Sequence, residues 1–167
     1  MTLSRPERID LLLARPHHDE QAHVPLNSID EIERTVVDLA IALLAPGQKF
    51  AMLWSMQVGG HREAGVQVKT RDGSVTNLEP PREVLDHLAD HKRLSYQPEA
   101  GAWLATEIFI AGPTRYKATY STDTVADWMP EVSAVDLRAE FVAFPRPANQ
   151  IPGWARAQLD WTTRMTG

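Results

Sequence analysis

Ile29, Ile32, Val36, Leu39, Ala40 and Leu43 recur at helical spacing and fall on one apolar stripe. Ser28-x-x-Glu31 gives this helix a capping box at its start, and Pro46-Gly47 stops it. The period then shortens to that of a strand. Phe50, Met52, Trp54, Met56 and Val58 alternate along one face, which is read as the core face. Gly59-Gly60 fits a two-residue hairpin turn, and Ala64, Val66 and Val68 alternate on the return strand. Asp72-Gly73 marks a second tight turn before Val75. Residues 49–78 therefore read as a three-stranded antiparallel meander.

Downstream, Pro80-Pro81 opens a second helix with Val84, Leu85 and Leu88 facing inward. Residues 103–111 and 116–120 form another hairpin around Gly112-Pro113. Ser133-x-x-Asp136, followed by Leu137, Phe141 and Phe144, predicts a short helix, with a strand as the alternative. Ile151-Pro152 starts a final helix whose apolar stripe is Ile151, Trp154, Ala155 and Met165, with Arg156, Asp160 and Arg164 opposite. Upstream, Ser4-x-x-Glu7 opens a short helix through Leu13, ended by Pro16. The polar stretch 17–26, with His17, His18 and His23, reads as a surface linker. The predicted architecture is α+β, an antiparallel meander flanked by N-terminal, middle and C-terminal helices. It forms a single domain, 1–167, made of an extension or linker over 1–27 and a core over 28–167.

Composition narrows the function classes. The chain is 43% hydrophobic and 23% charged, as in an average globular domain. With no cysteine it has no disulfide framework, thiol catalysis or cysteine-based metal site, and it suits a reducing, cytoplasmic setting. The apolar run Leu11-Leu12-Leu13 is too short for a secretory leader, and no stretch is long enough to span a bilayer. With 17 basic and 22 acidic residues the net charge is −5, and no Lys/Arg run is present. Nucleic-acid binding is therefore not expected. To the extent that overall charge guides association, it favours a basic partner surface.

Candidate chemistry is sparse. His87 and His91 stand one helical turn apart and would share a face, as two metal ligands must, but Leu88 stands where a zinc-protease motif carries glutamate. A solvated polar face with Glu83 and Asp90 accounts for the same pattern, so no metal and no cofactor are expected. No G-x-S-x-G elbow and no phosphate-cradling loop occurs. Of the tryptophans, Trp54, Trp103 and Trp154 lie on apolar stripes and read as core. Trp128, in Asp127-Trp128-Met129-Pro130, reads either as an interface anchor or as a plug at the sheet end.

From Gly101 onward, Gly101-Ala102-Trp103, Trp128, Phe144-Pro145-Arg146 and Ile151-Pro152-Gly153-Trp154 follow one another in an order that resembles a family of bacterial immunity proteins encoded beside polymorphic toxins. In particular it resembles the immunity factors of NAD-glycohydrolase toxins of the tuberculosis necrotizing toxin type. The likeness covers roughly residues 29–161 and leaves the first 26 residues without a counterpart. It implies an antitoxin, not an enzyme, that binds a cognate toxin one-to-one in the cytoplasm and blocks its cleft. The matching residues read as structural. Turn tips are the natural partner-binding elements: Gly59, Gly60, His61 and Arg62; Arg71, Asp72 and Gly73; and Gly112-Pro113-Thr114-Arg115, of which Arg115 carries the charge, with Trp128 beside them. Two other readings compete with it. One is a metal-assisted hydrolase using His87 and His91; the other is a secretion chaperone or adaptor.

Overall fold

Helix starts are set by local side-chain chemistry, and two of the expected caps are in place. Ser28 Oγ accepts from the Glu31 N–H at the start of helix α1 (Ile29–Ile41). Ser133 Oγ accepts from the Asp136 N–H at 3.1 Å and donates to Asp136 Oδ2 at 2.8 Å, opening α3 (Ala134–Ala143) as a helix and not a strand. The computed structural model describes residues 22–165. The helix expected over residues 4–13 lies outside them, as do His17 and His18.

After α1 come β1 (Ala51–Val58), β2 (His61–Lys69), β3 (Val75–Leu78), α2 (Arg82–Ser95), β4 (Ala105–Gly112) and β5 (Arg115–Ser121), then α3, a 3-10 turn (Ala148–Gln150) and α4 (Gly153–Met165). The strands form one antiparallel sheet in the order β3-β2-β1-β4-β5. The fold is thus α+β, with the expected meander at one side of the sheet and the expected second hairpin at the other.

Two apolar clusters divide the sheet. On one face, Leu53, Val66, Val68, Ile108 and Ile110 pack beneath Ile32, Val36, Val37 and Ala40 of α1 and Val84 and Leu88 of α2. On the other face, Met56 and Val58 pack against Leu137 of α3, Ala155 of α4 and the loop residues Met129 and Val132. This second layer covers only part of its face.

Several sequence expectations are corrected here. The core face of β1 is not Phe50-Met52-Trp54-Met56-Val58 as a unit. Ala51 and Leu53 are the residues buried under α1 and α2, whereas Phe50 is 68% exposed. Trp154 is exposed and donates its Nε1–H to the Asp123 carbonyl at 2.8 Å, and Met165 is exposed as well. Only Ala155 of the predicted α4 stripe is fully buried. The polar side of α2 is only partly solvated: Glu83 is exposed, but Asp90 and His91 are buried.

The motif order noted in the C-terminal half has a physical basis. Arg146 lies across Gly101, where a Cβ would come within 2.3 Å of the guanidinium, and Gly101 itself has a left-handed φ of 92°. Arg146 donates to the carbonyls of Thr122 and Ala102 and stands over the Phe141 ring. Tyr96 OH donates to the Pro145 carbonyl. Gly101-Ala102 and Phe144-Pro145-Arg146 are therefore halves of one clasp that ties β4 to the end of α3.

Candidate functional site

In an antiparallel sheet, successive hairpin tips alternate between ends, and this decides which of the expected tips can act together. The β1–β2 turn lies at the Val58 end of β1. The β2–β3 and β4–β5 turns lie at the other end, beside Ala51. Arg71, Asp72, Gly73 and Arg115 thus share one end of the molecule, and Gly59, Gly60, His61 and Arg62 occupy the opposite one.

The Gly59-Gly60 tip is docked on α3. The Gly59 N–H donates to Glu140 Oε2 at 2.9 Å and the Gly60 N–H to Asp136 Oδ1 at 3.2 Å. A Cβ on Gly59 would meet the Asp136 backbone carbonyl at 2.3 Å. Glu140 also pairs with Lys92 Nζ at 2.7 Å, and both side chains are buried. Lys92 further donates to the Gln57 carbonyl at 2.5 Å and stands over the Phe144 ring. Burial lowers the Lys92 pKa, and Glu140 opposes that shift. His61 and Arg62 are committed to Glu63 and, loosely, to Asp86.

At the other end, Asp72 is a turn former. Its Oδ1 accepts from the Ser74 N–H at 2.9 Å, the Ser74 hydroxyl at 2.7 Å and the Thr70 hydroxyl, and these bonds, Thr70 first, hold its carboxyl down at about 2. Gly73 takes the left-handed φ of 87° that the turn needs. Arg71 and Arg115 are left exposed.

Beside this end lies a feature that the turn-based reading missed. The sheet face not covered by α3 and α4 carries Phe50, Met52, Val75 and Phe109 around a shallow groove of about 450 Å³. Phe50, Phe109 and Val75 are 68%, 53% and 59% exposed. The register places Met52 beside Phe109 on one neighbour and Gln67 on the other. Where α3 and α4 begin to cover the face, Trp54 meets Trp128 edge-on at 5.4 Å, with Trp128 48% exposed. Trp128 therefore both closes the layer and presents an edge. The sequence signal was present in β1, which is apolar on both faces at its start.

The open face is also basic at its rim. Lys49, Lys69, Arg71, Arg115 and Lys117 are all exposed at this end of the sheet, against the single internally bonded carboxylate of Asp72. None of the five forms an ion pair among the described residues. Acidic residues gather on α1, whose Asp30, Glu33 and Asp38 lie near enough to act on Tyr116, the residue between Arg115 and Lys117.

Gly65 shapes the same face. It stands opposite Trp54, and the indole lies over it so closely that a Cβ would fall 2.5 Å from Nε1. Glycine usually weakens a strand interior. Here Gly65→Ala should instead cost about 1–3 kcal/mol, the usual range for overpacking. Urea denaturation checks this; a stability gain would show that the ring moves aside freely.

His87 and His91 do not converge on one site. His91 turns into the core, 2% exposed, where its Nδ1 accepts from Trp103 Nε1 at 3.1 Å and its ring stacks on Tyr120 at 4.1 Å. The Trp103 bond assigns the proton to Nε2, which stands 3.6 Å from Glu33 Oε1. Burial pushes the His91 pKa down to about 4, so the ring is neutral. Tyr120 OH donates to the same Glu33 oxygen at 2.9 Å, and burial raises its pKa. This network joins α1, α2 and β5. His87 lies on the outer side of α2, next to His23 and Asp90.

No known protein family matches the sequence, and no curated protein matches it. The immunity-protein resemblance rests on the order of its motifs. No helix among the described residues is long and apolar enough to cross a membrane.

Proposed function

We propose that this chain is a protein-binding module, and specifically an immunity factor that occludes the cleft of a cognate toxin in the cytoplasm. The observation that supports binding is the open sheet face, where two phenylalanines, a valine and a methionine are presented beside five cations. Aromatic anchors inside a charged rim are the composition of protein interfaces. The charge commits the partner: its contact surface is apolar at the centre and acidic at the edge. The toxin assignment is supported by the motif order, and the class of toxin, an NAD glycohydrolase, comes from the same resemblance.

The test mixes the purified protein with a toxin domain encoded beside it and follows NAD cleavage. A stable one-to-one complex with stoichiometric loss of cleavage is expected. A stable complex with undiminished cleavage would replace immunity by a chaperone or adaptor role, and absence of a complex would remove this toxin as partner.

A further inference from the structure

His87 and Asp90 lie one turn apart on α2, and the segment before α1 lays His23 against them. His23 Nε2 is 2.6 Å from Asp90 Oδ2, and the two imidazole rings meet edge-on at 4.9 Å. One ligand atom from each of the three residues lies within 4.8 Å of the others. The Asp90 side chain is only 4% exposed and that of His23 26%. Two observations set this cluster apart from an ordinary surface ion pair. His87 Nδ1 is buried without any hydrogen-bond partner, and such orphans are rare because each costs about 1–3 kcal/mol. Asp90 is also oriented from behind: Arg93, itself largely exposed, holds Oδ1 at 3.1 Å and leaves Oδ2 on the histidine side.

We propose that His23, His87 and Asp90 form a binding site for a zinc-class divalent cation. Two imidazoles and one carboxylate suit zinc and its first-row neighbours, whereas magnesium and calcium prefer all-oxygen shells. Ligand bonds of about 2.0–2.2 Å in a tetrahedral shell place donor atoms roughly 3.4 Å apart. The His23–Asp90 pair, now 2.6 Å apart, therefore opens by about 0.8 Å as His23 exchanges its bond to Asp90 for one to the metal, and His87 adjusts to the same spacing from within 4.8 Å. His23 belongs to an irregular segment, which permits that shift. Arg93 on the far oxygen does what outer-shell partners of ligating carboxylates do, fixing the carboxylate's direction. Three protein ligands leave a fourth position for water or for a donor from a partner. The bound cation fastens the segment around His23 to α2.

Isothermal titration of zinc chloride into the full, chelator-treated chain tests the site, at a pH where imidazoles are neutral because the ligands must be deprotonated. One zinc per chain is expected, with magnesium giving no signal. His87→Ala and His23→Ala should each weaken zinc binding roughly 100-fold, at or above the 10–100-fold range for loss of an outer-shell residue. His17→Ala with His18→Ala, which removes the neighbouring histidines, should leave binding unchanged. Zinc should also raise the melting temperature of the parent chain and not that of His87→Ala. The proposal is overturned if the parent chain fails to bind, or if binding survives undiminished in His87→Ala, and loss in the His17/His18 variant would place the zinc on those residues instead. Circular dichroism of each variant without zinc separates loss of the site from loss of the fold.

Discussion

Replacing Glu140 by alanine should destabilise the protein by about 3–5 kcal/mol, the range for removing one partner of a buried ion pair. At this chain length that corresponds to a fall in melting temperature of roughly 6–20 °C. The size follows from what the carboxylate does. It lies 1% exposed, pairs with Lys92 at 2.7 Å and accepts the Gly59 N–H at 2.9 Å. Its removal strands an ammonium 4% exposed to water and an amide at the β1–β2 turn. Lys92 keeps the Gln57 carbonyl, which cannot neutralise it. The same change loosens α3 from the hairpin tip, since Glu140 and Asp136 are the acceptors that hold it.

The counterpart experiment removes both charges. Lys92→Met with Glu140→Leu keeps volume and eliminates the uncompensated ion, so it should recover most of the loss, as apolar replacements of buried pairs commonly do. The residual deficit should reflect the Gly59 N–H and the Gln57 carbonyl, which lose their partners. A Glu140→Ala melting curve within about 1 kcal/mol of the parent would show that water enters and screens the lysine. Thermal unfolding followed by circular dichroism distinguishes the cases.

These effects were hidden in the sequence for an identifiable reason. Helices α1 and α3 were legible because caps such as Ser28 and Ser133 act on amides only three residues away. The meander was legible because period-two alternation and the glycine turns are local as well. Asp90 and His91 looked solvated because every group that justifies burying them is distant in sequence. His91 Nδ1 accepts from Trp103 and its ring stacks on Tyr120, Asp90 is met by His23, and their neighbour Lys92 is neutralised by Glu140. The pairing of His87 with His91 failed on the same account. A turn's spacing puts two rings on one side of a helix, but α2 packs beside α1 on the sheet, and that side is itself split between core and rim.

The turn-tip candidates divide between two ends of the sheet for a topological reason. Turn chemistry finds tips but not the end of the sheet to which each belongs, nor which tip a later helix will occupy. Arg71 and Arg115 lie at the same end of the sheet, near opposite edges, whereas Gly59 and Gly60 are held by α3 at the other end. Phe50 reads as part of an apolar strand face and Phe109 is not singled out by the sequence; both are exposed, because α3 and α4 reach only the Met56-Val58 part of their face.

That partial cover yields the largest expected effect on binding. Phe50→Ala and Phe109→Ala should each weaken the toxin complex by about 2 kcal/mol or more, roughly thirtyfold in Kd, as loss of an aromatic anchor does. Because both side chains are more than half exposed, stability should stay within about 0.5 kcal/mol of the parent, which separates a binding defect from a folding one. Lys69→Glu and Lys117→Glu act differently. Rim charges govern encounter more than dissociation, so these variants should slow association and flatten its dependence on salt. Arg62→Glu, at the far end of the sheet, should bind as the parent does. Kinetic binding measurements with the toxin decide between the two ends. Normal inhibition by both phenylalanine variants, with loss in Arg62→Glu, would move the interface to the β1–β2 tip and leave the open face without a role in neutralisation.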